Sequence, residues 1–230
     1  MDHNASTSDK MIDTALSEGS IFIDEGKHAL IEEFGKDYGI YFSILSAIAR
    51  GQTERAQIEN MVGTGSLGGY LQRLEKDYEI ITRQQPLFAK SLSKNLRYKI
   101  SDNFYSFWFR FIAGHSAAVE LGAFAQLRQL VRRDWSVFTG HILERYFTAQ
   151  LAETGLYTRL GSWWDRKGEN EIDLIAENEL EQTVTFYEIK LDSKRFSLSE
   201  LERKRDAFLR ATGHYTHWST SCQSLSLNDM

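Results

Sequence analysis

The sequence predicts a protein of the α+β or α/β class, with a helical first half and a small mixed sheet flanked by helices in the second half. Three observations favour this class. Apolar residues recur at three- and four-residue steps over residues 38–49 and 67–74, a spacing typical of amphipathic helices. Apolar runs of strand length occupy residues 171–177 and 183–190. A charged helical segment at about 199–211 follows these two runs, as expected for an α/β unit.

Composition and charge limit the class of protein. The 230 residues are 42% hydrophobic and 26% charged, which excludes disorder throughout and suits one large domain or two small ones. No apolar run approaches the roughly 18 residues of a membrane span, so we expect no membrane association. Cys222 is the only cysteine, which excludes a disulfide framework and a cysteine-rich zinc site and indicates a cytoplasmic protein. The formal charge of -5 argues weakly against nucleic acid, but residues 37–101 carry nine basic and six acidic groups.

Residues 37–101 predict a winged helix-turn-helix. One helix ends at Gly51, a second covers residues 54–61, a third begins at Ser66, and a strand pair surrounds Pro86. In that arrangement the third helix normally enters the major groove of DNA. The candidate DNA-contacting residues on it are Gln72, Arg73 and Lys76. The alternative is that the same segment serves only packing or dimerisation.

The flanking segments complete the predicted organisation. The first 20 residues are polar and only weakly periodic, which predicts a frayed lead. A helical connector follows residue 101, and its aromatic segment at 103–111 is expected to pack in a core, because few basic residues interleave for base stacking. Two further helices are predicted at about 117–132 and 134–152. Trp163-Trp164 predicts a strand before the two apolar runs at 171–177 and 183–190, and a fourth strand is predicted at 214–219.

The segment 161–190 carries the pattern with chemical content. Asp173 lies in an apolar strand, where a charge is costly to bury unless it is paired or metal-bound. The strand period of two places Glu188 and Lys190 on one face and Ile189 toward the core. A hairpin would bring Asp173 beside Glu188, and two such carboxylates repel unless a cation lies between them. Mg²⁺ or Mn²⁺ suits these ligands, with Lys190 stabilising a phosphate or orienting a water, whereas the alternative is an exposed strand pair with a salt bridge.

This Asp…Glu-X-Lys pattern resembles the PD-(D/E)XK nuclease superfamily, which has the restriction-endonuclease-like fold. The resemblance implies that Asp173 and Glu188 bind the metal and that Lys190 is the catalytic lysine. It also implies that Glu144, on a helix before the first strand, assists as a further metal ligand. Ile172 stands where the family has proline.

Basic residues near this pattern are candidates for phosphate contact. Arg166 and Lys167, beside the Trp163-Trp164 pair, are expected to line a substrate groove of the protein and to contact DNA there. The runs 194–195 and 203–205 either track phosphates or form a solvated helix face.

A wider resemblance covers about residues 20–220. The segments 41–49, 98–104, 107–111 and 163–190 together resemble the C-terminal half of archaeal-type P-loop ATPases, in which an ATPase module precedes a winged helix and a nuclease-like domain (domain of unknown function 234). The resemblance divides the chain into a lead or remnant of an upstream ATPase module (1–36), a winged helix-turn-helix (37–101), and a helical connector with a nuclease-like domain (102–230).

No phosphate loop accompanies the resemblance. The glycine cluster at 63–69 has no Gly-Lys-Ser/Thr, so no ATP site is expected in this chain. The expected partners are DNA and a P-loop ATPase, either as a separate protein or as a missing N-terminal module, and a homo-oligomer is left open. Two functions are therefore predicted as alternatives: a Mg²⁺- or Mn²⁺-dependent deoxyribonuclease, or a catalytically inactive nucleic-acid-binding or protein-interaction module that regulates a partner ATPase.

Overall fold

The computed structural model describes residues 7–90 and 95–230, so residues 1–6 of the predicted lead lie outside it. The described chain forms two compact units. The first runs to Gln84 and resumes over Leu96–Trp135, and the second takes in residues 85–90, residue 95 and Ser136–Met230. Among the described residues, no helix is both long and apolar enough to cross a membrane.

The helices are, in chain order, α1 (Thr7–Ala15), α2 (Ile21–Phe34), α3 (Tyr38–Ala49), α4 (Arg55–Val62), α5 (Gly68–Lys76), α6 (Asn103–Phe107), α7 (Ser116–Glu120), α8 (Phe124–Glu153) and α9 (Leu198–Thr212). The strands are β1 (Ile81–Gln84), β2 (Arg97–Ile100), β3 (Arg159–Trp164), β4 (Glu171–Asn178), β5 (Thr183–Lys190) and β6 (Ser219–Ser226). The protein is thus a mixed α and β fold with a two-stranded and a four-stranded sheet.

Three helices followed by a strand pair form the centre of the first unit, in the predicted order. α4 begins with a capping box between Glu54 and Gln57, and it ends where Gly63 adopts a left-handed φ of 71°. β1 and β2 pair antiparallel, with Ile81 opposite Ile100. Each of these three helices buries apolar side chains: Ile44 and Leu45 from α3, Ile58 from α4, and Leu71 and Leu74 from α5.

The start of the chain differs from the frayed lead that its weak periodicity predicts. Thr7–Ala15 is helical, with Ile12 buried in unit 1. Arg132 donates hydrogen bonds to Asp9 at 2.8 Å and to Asp13 at 2.7 Å, and these ion pairs join α1 to α8. Residues far away in the chain hold this helix in place, and local periodicity does not report such contacts.

The aromatic connector is buried, as predicted. Trp108, Phe109 and Phe111 are 3%, 0% and 1% exposed, and they lie in a π-helical turn after α6. The prediction of two helices at 117–132 and 134–152 is wrong, because α8 is one continuous helix of 30 residues. Its sequence contains no proline, and Gly140 alone does not interrupt the backbone hydrogen bonds.

The second unit is built on a mixed sheet with the strand order β3-β4-β5-β6. β3, β4 and β5 pair antiparallel, whereas β6 pairs parallel to β5 after the crossover through α9. α8 covers one face through Leu143 and Phe147, and α9 covers the other through Leu201 and Phe208. The predicted small mixed sheet flanked by helices is therefore observed.

The fourth strand lies later in the chain than predicted. Residues 214–218 form a turn in which Tyr215 has a left-handed φ of 61°, and the strand is Ser219–Ser226. Small polar residues dominate this strand, so its sequence lacks the apolar and aromatic run that marks a strand. The segment is a strand because it pairs with β5, starting with Thr183 opposite Ser219, and local sequence does not reveal such a pairing.

The link between β1 and β2, described at residues 85–90 and 95 and called the connecting segment below, packs within the second unit. The Leu87 amide donates to the Ser162 carbonyl at 2.9 Å, and the Trp164 indole donates to the Asn95 amide oxygen at 2.8 Å. The Phe88 ring stacks on the His214 ring with 3.7 Å between their centroids. The connecting segment thereby lies along the outer edge of β3.

Candidate active site

β4 and β5 bring Asp173 next to the end of β5. Their antiparallel register runs from Asn178 opposite Thr183 to Leu174 opposite Tyr187. One residue beyond that last pair, the Asp173 carboxylate accepts a hydrogen bond from the Ile189 amide at 2.7 Å. A side chain therefore takes a backbone hydrogen bond at the point where the pairing between the strands ends.

Glu188 and Lys190 lie together on β5. The Lys190 ammonium is 2.7 Å from a Glu188 carboxylate oxygen, and Ile189 between them is buried in the core cluster on the α8 side. The Glu188 side chain is 9% exposed and the Lys190 side chain 36% exposed, so the ammonium reaches the surface while the carboxylate does not.

Lys204 on α9 also belongs to this site, although the basic run at 203–205 predicts only phosphate contact or a solvated helix face. Its ammonium donates to both carboxylate oxygens of Glu188, at 3.0 and 2.9 Å, and its side chain is 12% exposed. The sequence did carry a signal for it. Leu201 and Phe208 are the buried residues of α9, and Lys204 lies between them at helical spacing, where a cation is costly without a partner.

Glu144 faces the same end of the sheet from α8. It acts electrostatically on both Asp173 and Lys190. A cavity of about 370 Å³ opens beside it, lined by α8 and by the residues that end and follow β5, among them Lys190 and Arg195. Glu144 and Lys190 are thus both accessible from this cavity, whose lining carries charges of both signs.

Asp173 lies in an environment that disfavours the charged form of its carboxyl group. Burial is the main cause that raises the pKa of this carboxyl to about 7, and the carboxylates of Glu188 and Glu144 raise it further. The hydrogen bond from the Ile189 amide and the charge of Lys190 act in the opposite direction. Burial acts to lower the pKa of Lys190, but the hydrogen bond to Glu188 and the nearby carboxylates outweigh it, so that pKa is raised. An additional cation would relieve this repulsion.

The donor chemistry partly fits a divalent ion. The carboxylates of Asp173, Glu188 and Glu144 are the hard oxygen ligands that Mg²⁺ and Mn²⁺ prefer. Over residues 7–90 and 95–230, however, no group of three or more acidic, histidine or cysteine side chains is arranged to hold a metal ion. Glu188 already has both oxygens bound by Lys204, so the donors are near one another without forming a ligand set.

The residues predicted to contact DNA on the third helix are exposed in the first unit. Gln72 and Lys76 line a cavity of about 310 Å³ together with Arg83 of β1. Arg73 is exposed, and interaction with the Tyr41 hydroxyl raises the pKa of its guanidinium. Gln72 and Lys76 thus lie on one cavity, whereas Arg73 does not line it and interacts with α3.

Arg166 and Lys167 occupy the tip of the hairpin between β3 and β4, and both are exposed. The Asp165 carboxylate fixes this tip by accepting hydrogen bonds from the Lys167 amide at 3.0 Å and from the Asn170 side-chain amide at 2.7 Å. Arg203 of α9 donates to the Asn170 side-chain oxygen at 2.8 Å, so the tip is also bonded to α9.

Comparisons with known proteins support the predicted resemblance to domain of unknown function 234. A family model described as archaeal and bacterial proteins of unknown function, DUF234, matches residues 108–205. The uncharacterized protein MJECL04 of Methanocaldococcus jannaschii is 35% identical to the chain over 159 residues, which is 65% of this chain and 35% of that protein. The chain therefore spans about a third of the length of this curated relative. No solved structure shows a significant match.

The family match contains the whole candidate active site. Residues 108–205 include α8 with Glu144, both strands that carry Asp173 and Glu188, and the first half of α9 with Lys204. The chain is thus similar to DUF234 proteins over the segment in which its charged residues come together.

Proposed function

We propose that this chain is a DNA-binding nuclease of the PD-(D/E)XK type that cleaves phosphodiester bonds with Mg²⁺ or Mn²⁺. The observation that carries the proposal is the grouping of Asp173, Glu188 and Lys190 at one end of the β4–β5 pair. The cavity lined by Glu144 and Lys190 offers a phosphate a place beside the Lys190 ammonium. A bound cation would relieve the repulsion that the carboxylates of Glu188 and Glu144 exert on Asp173.

Each charged residue has a role in this proposal. Asp173 and Glu188 would hold the divalent ion, with Glu144 assisting from α8. When bound, the ion supplies Lewis-acid stabilisation to the phosphate. Lys190 lines the cavity and remains protonated. Its ammonium stabilises the negative charge of the phosphate and orients the attacking water.

DNA would be held at two surfaces. Gln72, Arg73 and Lys76 are exposed on α5, and we propose that this helix enters the major groove as the recognition helix of a winged helix. Arg166 and Lys167 are exposed at a hairpin tip that hydrogen bonds fix in place, and we propose that they contact phosphates.

A nuclease assay on single- and double-stranded DNA with Mg²⁺ or Mn²⁺ tests the proposal. We expect cleavage by the wild-type chain and its loss, by two or more orders of magnitude, in Asp173→Ala and Lys190→Ala. Lys10→Ala is the control, because Lys10 is an exposed lysine of the first unit that has no role in the proposed function. Cleavage that survives both active-site substitutions would mean that this site is not the nuclease.

One observation favours a second candidate function, that of a catalytically inactive module that binds DNA or protein and regulates a partner ATPase. Both oxygens of Glu188 are bound by Lys204, and a second ammonium from Lys190 reaches one of them. A carboxylate neutralised in this way serves as a structural scaffold without an ion. This function predicts DNA or partner binding that is unchanged by Asp173→Ala, and no heat of Mg²⁺ binding in calorimetry.

We further propose a P-loop ATPase as partner, either as a separate protein or as a module joined to the chain. The Methanocaldococcus relative carries about two thirds of its sequence outside the matched segment, which leaves room for such a module. Purified ATPase from an adjacent reading frame, assayed with and without this chain, provides the test. An unchanged ATPase rate and no co-elution would contradict the partnership.

A further inference from the structure

Lys204 is the strongest feature of the second unit that the proposed roles do not use. It is a lysine on the buried face of a helix, 12% exposed, and its ammonium bonds to both oxygens of a strand carboxylate. The other charged partner within ion-pair distance is Glu200, at 3.8 Å and one helical turn earlier. Its geometry therefore directs nearly all of its charge to Glu188.

The position of α9 determines how that charge reaches the site. α9 covers the sheet face on which Leu201 and Phe208 pack, whereas Glu144 approaches from α8 on the other face. The N-terminus of α9 is fixed by the Ser197 side chain, which accepts a hydrogen bond from the Glu200 amide. Lys204 thus reaches Glu188 from the helix that covers the sheet face opposite to α8.

We propose that Lys204 is a positioning residue whose ammonium neutralises the Glu188 carboxylate in place of a divalent ion. Lys204 thereby limits how tightly the site binds metal. The proposal rests on the proposed function, since it assumes that Asp173 and Glu188 are metal ligands. An ion bound to Glu188 would lie a few ångströms from the Lys204 ammonium, and like charges at that separation repel strongly at a buried position. The ion must therefore compete with a cation that belongs to the protein.

The charge balance supports this role. Glu188 carries one negative charge, and the ammonium groups of Lys190 and Lys204 lie 2.7 and 2.9 Å from its oxygens. The charge of Glu188 is therefore compensated without an ion. Removal of the Lys204 charge leaves this carboxylate with less compensation, which favours binding of a divalent cation.

The experiment measures Mn²⁺ binding to the full chain by electron paramagnetic resonance of the free ion, which needs no activity. We expect Lys204→Met to tighten the Mn²⁺ dissociation constant by about tenfold or more, because a like charge is removed from beside the ligand. Lys204→Arg keeps the charge and should bind as the wild type does, within about twofold. Adding Asp173→Asn to Lys204→Met should cancel the gain. Lys10→Met, at an exposed position in the first unit, controls for net charge.

The outcomes separate this inference from the proposed function. Wild-type chain that binds Mn²⁺ as tightly as Lys204→Met, or more tightly, overturns the inference and leaves the proposed function intact. A Lys204→Met chain that binds while the wild type does not would support the inference and would favour the inactive module. Absence of binding in all variants would overturn the metal-dependent function itself. Circular dichroism establishes that each variant is folded, and Lys204→Gln replaces Lys204→Met if the latter does not fold.

Discussion

Replacing Asp173 by asparagine should stabilise the metal-free protein at alkaline pH. The asparagine side-chain oxygen can still accept the hydrogen bond from the Ile189 amide, but the side chain no longer carries a charge. In the wild type the pKa of Asp173 rises from its ordinary 3.8 to about 7, mainly because of burial. A rise of that size corresponds to about 4 kcal/mol of folding free energy.

The sign of the pH dependence follows from proton binding. Between about pH 4 and pH 7 the folded state holds a proton at Asp173 that the unfolded state has released, so wild-type stability falls as pH rises through this range. Below pH 4 both states are protonated and the loss vanishes; above pH 7 the loss is complete. We therefore expect Asp173→Asn to exceed the wild type by up to about 4 kcal/mol at pH 8 and by little at pH 4.

Urea unfolding in the presence of a metal chelator, followed by circular dichroism at pH 4, 6 and 8, measures this difference. Asp165→Asn is the matched control, a second Asp→Asn change on the same hairpin. Burial acts to raise the pKa of Asp165, but hydrogen bonds from Asn170 and the Glu169 amide outweigh it and lower that pKa. Its substitution should therefore cost stability at pH 8 and less at low pH. An advantage of Asp173→Asn that does not grow from pH 4 to pH 8 would refute the reasoning.

Three further predictions concern packing and binding. Tyr215→Phe should destabilise the second unit by about 1–3 kcal/mol in urea unfolding, because the Tyr215 hydroxyl donates to the carboxylate of Glu177, which is 4% exposed. Gly161→Ala should cost about 1–3 kcal/mol, because its Cβ would lie 2.7 Å from a Leu87 methyl carbon, and Leu87→Ala should reduce that cost in a double-mutant cycle. Lys76→Ala should weaken DNA binding in fluorescence anisotropy and lower the salt slope by about one.

Each of these predictions has a control. Tyr146→Phe removes a hydroxyl from a residue that is 38% exposed and should change stability little. Gly69→Ala adds a Cβ that meets nothing within 4 Å, so it should be neutral or stabilising in α5. For DNA binding, Lys36→Ala removes an exposed lysine that lies outside α5. Equal effects of a substitution and its control would contradict the assigned contact.

The sequence predicted those parts of the fold that local patterns determine. The helices of residues 38–76 follow from apolar spacing, because each buries one face against a neighbour. The strands that carry Asp173 and Glu188 follow from their apolar runs, because helices cover both faces of their sheet. β6 was misplaced because parallel pairing with β5 orders a polar segment that has no strand pattern of its own. Periodicity describes the residues next to one another, and it carries no information about a partner 36 residues away.

In the candidate site, too, local patterns predict some of the residues that come together and leave out another. Strand alternation was sufficient to place Glu188 and Lys190 on one face, because the two residues share a strand. Lys204 reaches Glu188 only after α9 has crossed the sheet, and in the sequence it lies within a run of three basic residues that is typical of a solvated helix face. The contact of Lys204 with Glu188 thus depends on how the chain crosses the sheet, which the local sequence does not show.

The connecting segment has a practical consequence for dissecting this protein. A fragment that begins at residue 102, or at residue 108 where the family match begins, encodes all four strands of the larger sheet but deletes Leu87, Phe88 and Asn95. Without them the Ser162 carbonyl on the outer edge of β3 and the Trp164 indole lose their partners, and an uncovered strand edge is prone to aggregate. Insolubility of such a fragment would therefore reflect a missing piece of the same folding unit, supplied in the intact chain from a position earlier in the sequence.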